Sequence, residues 1–96
     1  MQQEVTTEVT TKEQIRQFVL EDLARRKGIN DFSDDELLIQ NGIVDSLGIF
    51  RLVSFFEEKF RLRIPDEEIN ADNFQTINTM TQYVVSHLKK LAPSNV

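Results

Sequence analysis

The sequence predicts an all-α fold with three longer helices, one short helix and a long first loop. Apolar residues recur at helical spacing in three stretches, and no stretch alternates convincingly enough to predict a strand. Capping residues precede these stretches, and Gly28 and Pro93 follow the first and the last of them. The chain has 96 residues, which suffice for one small domain and not for two.

The first helix is predicted to begin near Thr10, because Thr10-Thr11-Lys12-Glu13 is a capping-box pattern. Residues 1–10 are rich in Gln, Thr and Glu, and they are predicted to be disordered or loosely ordered. Gly28 is predicted to end the helix after the basic residues 25–27, which suit the negative end of the helix dipole. The apolar residues of this helix are Ile15, Phe18, Val19 and Leu23.

Residues 28–45 are predicted to form a long connection between helices. A loop of this length in a compact domain is usually functional or packed down by its own side chains. Leu37, Leu38 and Ile43 are predicted to tie it to the core.

The second helix is predicted to begin at Asp45 or Ser46 and to run to about Phe60. At about 100° per residue, five apolar side chains fall within one stripe, which is predicted to face the core. They are Ile49, Leu52, Val53, Phe56 and Phe60. The residues on the opposite side are Leu47, Phe50, Arg51, Ser54, Glu57 and Glu58. Phe55 falls on the flank between the two sides.

The last third of the chain is predicted to hold a short helix and a longer one. Pro65-Asp66-Glu67-Glu68-Ile69 predicts the short helix, with proline at its start and acids in its first turn. Thr76 is predicted to cap the last helix, which ends before Pro93. Its apolar face consists of Ile77, Met80, Val84, Leu88 and Leu91. We therefore assign the folded domain to residues 11–91 and a C-terminal tail to residues 92–96.

The composition excludes several classes of function. Eleven basic and 16 acidic residues give a formal net charge of −5, which argues against nucleic acid as a partner. The absence of cysteine excludes disulfides, thiolate metal sites and a cysteine nucleophile, and the single His87 excludes histidine clusters. The aspartates between residues 31 and 35 lack the central glycine and terminal glutamate of an EF-hand, so no metal site is predicted.

The chain is expected to be a cytoplasmic monomer that does not insert into membranes. No apolar run approaches the length of a transmembrane helix. The segment Met1–Thr11 is polar and acidic, whereas a signal peptide is basic and then apolar.

The candidate functional residue is Ser46, within Gly42-Ile43-Val44-Asp45-Ser46-Leu47-Gly48. It lies in the first turn of the predicted second helix, directly after Asp45, a residue that can cap that helix. A helix N-terminus presents unpaired N–H groups and the positive end of the dipole. Such a position is favourable for carrying a covalently attached phosphate.

The same stretch resembles the acyl carrier proteins, together with Leu37-Leu38 before it. The resemblance continues through Phe56-Glu57-Glu58-Lys59-Phe60 and Ile64-Pro65-Asp66-Glu67-Glu68-Ile69, and it covers roughly residues 12–90. Asp-Ser-Leu alone is common by chance. At a helix start, with the two downstream segments at these spacings, it is specific.

The resemblance implies a four-helix acyl-carrier-like bundle with 4′-phosphopantetheine attached to Ser46. A separate phosphopantetheinyl transferase would attach this arm from coenzyme A, with Asp45 and Leu47 flanking the site. The thiol of the arm would hold acyl or aminoacyl groups as thioesters. The further partners implied are a loading ligase or transferase and a downstream synthase or acyltransferase. A carrier is not an enzyme, which agrees with the absence of any predicted base to activate Ser46.

Two residues depart from the pattern of fatty-acid-synthesis carriers. Gly48 and Arg51 stand where those carriers usually have acids. Both are predicted to lie on or near the partner-binding side, which comprises Leu47, Phe50, Arg51, Ser54, Glu57 and Glu58. The sequence therefore resembles aminoacyl, D-alanyl or specialised-metabolism carriers more than the standard fatty-acid carrier.

The alternative function is a small helical adaptor that binds partner proteins through Leu47 and Phe50 without a cofactor. Exposed apolar residues near Ser46 suit either function. The two differ in whether the chain accepts the arm, which intact mass measures.

Overall fold

Four α-helices form the fold, and they run in the order that the sequence predicts. The structure is a computed structural model that describes residues 3–91, and no strand occurs among them. Three helices are long and one is short, which confirms the predicted all-α class. The α-helices are α1 (Gln3–Phe18), α2 (Ser46–Phe60), α3 (Ala71–Phe74) and α4 (Ile77–Leu91). A π-helical turn (Val19–Ala24) and a 3₁₀ turn (Arg25–Lys27) extend α1, and a second 3₁₀ turn (Asp66–Glu68) precedes α3.

Helix α1 begins earlier than the capping-box pattern predicts. It starts at Gln3, so the prediction of a loosely ordered segment up to residue 10 is wrong for residues 3–10. The physical reason is tertiary packing, which overrides a local capping signal. Helix α1 packs along α4, Thr11 is buried, and the Gln82 amide donates a hydrogen bond to Glu8 over 2.8 Å. The predicted tail lies outside the described residues, and the outer limits of the domain stay predictions.

Gly28 ends this first helical segment as predicted. Its backbone adopts φ 80°, the left-handed conformation that glycine tolerates best, and its N–H donates to the Arg25 carbonyl over 3.0 Å. The widened turn before it was not predicted. That turn buries Val19, Leu23 and Ala24 against the rest of the core.

Arg16 of α1 binds residues 31–34 in the first half of the long loop. Its guanidinium donates to carboxylate oxygens of Asp31 and Asp34, each over 2.8 Å, and to the Phe32 carbonyl. It also lies 4.7 Å from the centroid of the Phe32 ring. Phe32 is buried, so an aromatic side chain beneath a cation anchors this part of the loop.

Two of the three predicted loop anchors are buried. Leu38 and Ile43 lie in the core, whereas Leu37 is 41% exposed and was wrongly predicted as an anchor. Leu37 and Leu38 are adjacent in a turn, so their side chains leave the backbone in different directions. Val44, which was not predicted as an anchor, is buried beside Ile43.

The predicted core stripe of α2 is confirmed at its centre. Leu52 and Phe56 are fully buried, and Phe56 stacks on Phe74 with 5.6 Å between ring centroids. Ile49, Val53 and Phe60 are only half-buried, because the buried line of α2 lies nearer to Gly48 than predicted. Phe55, the flanking residue, stacks on Phe18 of α1 at 4.3 Å.

The short α-helix lies later than predicted. The segment around residues 66–68 forms only a 3₁₀ turn. Helix α3 follows it, capped by Asn70, whose side chain accepts from the Asn73 N–H over 3.0 Å. Thr76 caps α4 as predicted, because its hydroxyl accepts from the Thr79 N–H over 2.9 Å.

Candidate functional site

A hydrogen-bonded turn over residues 38–44 leads directly into α2. The carbonyl of buried Leu38 accepts hydrogen bonds from the N–H groups of Ile43 and Val44, over 2.9 and 3.0 Å. The Leu38 N–H in turn donates to the Gln75 carbonyl over 2.8 Å. The Gln75 side chain accepts from the N–H of Ile39 over 3.1 Å. The segment just before Asp45 is therefore fastened to the chain between α3 and α4.

Asp45 caps α2, as the sequence predicts. Its backbone is extended, with φ −98°, and its Oδ1 accepts from the Gly48 N–H over 2.8 Å. Its carbonyl accepts from the Ile49 N–H over 2.9 Å. This geometry places Ser46 as the first residue of the helix.

Lys27 contributes a contact at this site that the sequence analysis did not find. Its ammonium donates to Asp45 Oδ2 over 2.8 Å and to the Gly42 carbonyl over 2.9 Å. The hydrogen bond from Lys27, followed by that from the Gly48 N–H, holds the pKa of Asp45 below its usual value. A basic run before a helix-ending glycine indicates only an interaction with the helix dipole, so the local sequence carried no signal of this contact.

Ser46 presents an exposed hydroxyl at the start of α2. Within residues 3–91 no hydrogen bond engages this hydroxyl, and no histidine or free carboxylate is hydrogen-bonded to it as a base. The Asp45 carboxylate is already bound by Lys27 and by the Gly48 N–H. Within the described residues, no base is therefore placed to activate the Ser46 hydroxyl. The start of a helix, directly after an aspartate that binds the Lys27 ammonium, is favourable for a phosphate on this oxygen.

The outer side of α2 next to Ser46 carries exposed apolar surface. Leu47 is 62% exposed and Phe50 is 67% exposed. Arg51 is half-buried and lines an open groove of about 350 Å³ between α1 and α2. Ser54 and Glu58 line the same groove and are exposed. We call Leu47, Phe50, Arg51, Ser54 and Glu58 the outer face of α2.

Glu57 does not belong to the outer face, although helical spacing alone placed it there. It is half-buried, and its Oε2 accepts from the Ile64 N–H over 3.2 Å. The cause lies just after the helix, where Arg61 adopts φ 58° and turns the chain back toward α2. Glu57 therefore stabilises the turn after α2.

Gly48 also lies elsewhere than predicted. It is buried within α2, next to Val44, Asp45 and Leu23 of the π-helical turn, so it lies away from the exposed residues of the outer face. A Cβ at this position would lie 3.4 Å from both Asp45 Oδ1 and Val44 Cγ1, and 3.6 Å from Leu23 Cδ1. An acid here would bring a second carboxylate to the cap of α2. These distances are ordinary van der Waals contacts, so a Cβ would fit here and packing alone does not account for the glycine.

A separate cavity lies away from Ser46. It measures about 590 Å³ and is lined by residues of the second 3₁₀ turn, α3 and α4. The Tyr83 hydroxyl donates to Glu68 there over 2.7 Å, and His87 Nε2 lies 3.3 Å from the same carboxylate oxygen. Burial, reinforced by Glu68, raises the pKa of Tyr83. His87 is half-buried in this cluster.

The described residues contain neither a metal-binding cluster nor a membrane-spanning helix. Among residues 3–91, no group of three or more His, Asp and Glu side chains is placed to hold a metal ion. Over the same residues, no helix combines the length and the apolar character needed to cross a membrane.

Curated proteins with similar sequences are carrier proteins. The D-alanyl carrier protein of Lactobacillus delbrueckii subsp. bulgaricus is 32% identical over 72 residues, which cover 73% of this chain and 89% of that protein. The D-alanyl carrier proteins of Streptococcus sanguinis and Streptococcus gordonii are each 34% identical over 58 residues, covering 58% of this chain and 73% of the relative. No family model matches the chain. No solved structure matches it either.

Proposed function

The chain belongs to the acyl carrier family, together with the D-alanyl carrier proteins, and we propose that it carries acyl or aminoacyl groups on a 4′-phosphopantetheine arm attached to Ser46. As a carrier it is not an enzyme, and it presents its cargo to enzymes that act on it. When bound, the arm supplies a terminal thiol that holds the cargo as a thioester.

The observation that carries this proposal is the position of Ser46 and the contacts around it. Its hydroxyl is exposed at the start of α2, beside a capping aspartate and without a base of its own. Attachment joins Ser46 Oγ to the phosphorus that carries the pantetheine. The pyrophosphate bond of coenzyme A breaks, adenosine 3′,5′-bisphosphate leaves, and the serine proton passes to a base of the transferase. The carrier must therefore offer an accessible oxygen, and the transferase must supply the chemistry.

The proposed partners are those that attach the arm, load it and unload it. They are a phosphopantetheinyl transferase, a loading ligase or transferase, and a downstream synthase or acyltransferase. Any enzyme that takes the arm into its active site must contact the protein surface around Ser46. The exposed side chains of Leu47 and Phe50 give such an enzyme an apolar contact. Arg51 adds a cation beside them.

We propose specialised metabolism or aminoacyl transfer as the setting, with a monomeric carrier in the cytoplasm. The relatives named above are D-alanyl carriers, which makes an amino acid the first cargo to test. Arg51 supports this choice, because a cation on the outer face of α2 would repel partners built for an acidic carrier.

The test is intact-mass spectrometry of the apo protein after incubation with coenzyme A and a phosphopantetheinyl transferase of broad specificity. We expect a gain of one 4′-phosphopantetheine, and Ser46→Ala should abolish it. Ser86→Ala is the control, because Ser86 is an exposed serine of α4 outside the proposed site and should leave the gain unchanged. Failure of folded wild-type protein with several such transferases would favour the adaptor that binds through Leu47 and Phe50 without a cofactor.

A further inference from the structure

One side chain links the end of the first helical segment to the corner that presents Ser46. The ammonium of Lys27 bonds the Gly42 carbonyl over 2.9 Å and Asp45 Oδ2 over 2.8 Å. These two acceptors bracket the two residues that enter the core just before α2. Lys27 therefore fixes both ends of the last stretch of loop before the attachment serine.

The ion pair between Lys27 and Asp45 is too exposed to contribute much to the free energy of unfolding, so its role must be sought elsewhere. The Lys27 side chain is 36% exposed and the Asp45 side chain is 57% exposed. Ion pairs at such positions contribute little to folding. The buried side chains of Val44 and Leu38 also fix the loop to the core. What Lys27 adds is local: it orients the Asp45 carboxylate, which leaves Oδ1 for the cap of α2 while Oδ2 faces the ammonium.

The same contact places the positive charge of Lys27 beside Asp45, next to the serine that would receive the negatively charged phosphate. Modification puts a phosphodiester on Ser46, next to a carboxylate that is ionised. Without a neighbouring cation, two anions on adjacent residues repel each other. No other ion pair to Asp45 is present within residues 3–91.

We propose that Lys27 is the positioning residue of the attachment site, which holds the Asp45–Ser46 corner in the orientation that the transferase requires. This inference rests on the proposed function. Lys27 acts through Asp45 and the Gly42 carbonyl, and it takes no part in bond making. It also extends the surface that the transferase must recognise from α2 to the end of the first helical segment.

The chain offers a matched control in the adjacent residue. Arg26 is exposed and carries the same charge, and the described residues contain no ion pair to it. Arg26→Met removes a charge near the site without removing the contact, whereas Lys27→Met removes both. Lys27→Arg keeps a cation that can reach the two acceptors.

The first measurement is the rate of arm addition to each apo protein, followed by intact mass at varied carrier concentration. We expect Lys27→Met to lower kcat/KM by about tenfold, since small misplacements of a reacting group cost large factors. Lys27→Arg should recover most of the loss, and Arg26→Met should stay within about twofold of wild type. The loss should appear chiefly in the KM for the carrier if Lys27 orients the corner for recognition.

The second measurement needs no transferase. The carboxyl ¹³C resonance of Asp45 is titrated in each apo protein, and Lys27→Met should raise the pKa of Asp45 toward its ordinary value while Arg26→Met leaves it unchanged. Melting curves of the three variants should overlay that of the wild type.

The outcomes separate this inference from the function beneath it. If wild type takes the arm and Lys27→Met behaves like Arg26→Met, the positioning role is wrong and the carrier function stands. A loss in Lys27→Met that accompanies a lowered melting temperature also overturns the role, because it would then be structural. If wild type itself takes no arm, the proposed function fails first.

Discussion

Truncation of Phe56 tests the orientation of α2, on which the placement of the outer face depends. Phe56 is fully buried, stacks on Phe74, and lies 6.0 and 6.1 Å from the rings of Phe55 and Phe60. Phe56→Ala should lower the free energy of unfolding by about 3–5 kcal/mol through lost burial and the cavity left behind. A domain of this size has only about 5–15 kcal/mol in total. At about 4–8 °C per kcal/mol, Tm should fall by about 12–40 °C.

Phe50→Ala is the matched control on the same helix. Phe50 is 67% exposed, so its truncation removes only about a third of the contact that a buried ring would make. Full burial of such a side chain contributes about 1.5–3 kcal/mol, and the expected loss is therefore less than about 1 kcal/mol. Thermal and urea melts of both variants give the comparison. Equal losses would mean that the assignment of faces is wrong, and the outer face with it.

Three other changes test separate parts of the structure. Thr76→Ala should cost about 1 kcal/mol in urea unfolding through loss of the α4 cap, while Thr7→Ala, an exposed threonine of α1, should change little. Arg16→Met should speed amide hydrogen exchange in the long loop more than elsewhere, and uniform protection would contradict its role as an anchor. Arg51→Glu should make the arm-bearing protein a better substrate for a malonyl transferase of fatty-acid synthesis with an unchanged melting curve; a wild type that already performs like a fatty-acid carrier would leave Arg51 a mere surface charge.

Features that depend on a few neighbouring residues could be predicted from the sequence. Asp45 and Thr76 each cap a helix through the N–H three residues ahead. Gly28 ends a helix through its own backbone conformation. The core side of α2 was predicted because its period is intrinsic to the helix, and Leu52 and Phe56 lie there. The position of Ser46 follows from these local rules.

Features that join distant parts of the chain could not be predicted in this way. Arg16 contacts residues 15 to 18 positions away, and Lys27 contacts Asp45 at a separation of 18. The early start of α1 depends on α4, at the other end of the chain. The prediction that Glu57 lies on the outer face was wrong because the chain turns back after α2 and its backbone contacts Glu57. Helical spacing within α2 contains no information about that turn. Each error has the same cause, since periodicity describes one helix and says nothing of what folds against it.

Cationic and acidic side chains both lie near Ser46, although the chain as a whole is acidic. The net charge of −5 would by itself favour partners with basic surfaces. Yet Lys27 contacts Asp45, and Arg51 lines the groove beside Phe50, so two cations lie on the elements that flank Ser46, together with the acids Asp45 and Glu58. Charges more than about 10 Å away are largely screened at 0.1 M salt, so the nearest groups decide the encounter. We therefore expect Arg51 to influence the choice of partner more than the acidic total does, which the Arg51→Glu variant tests.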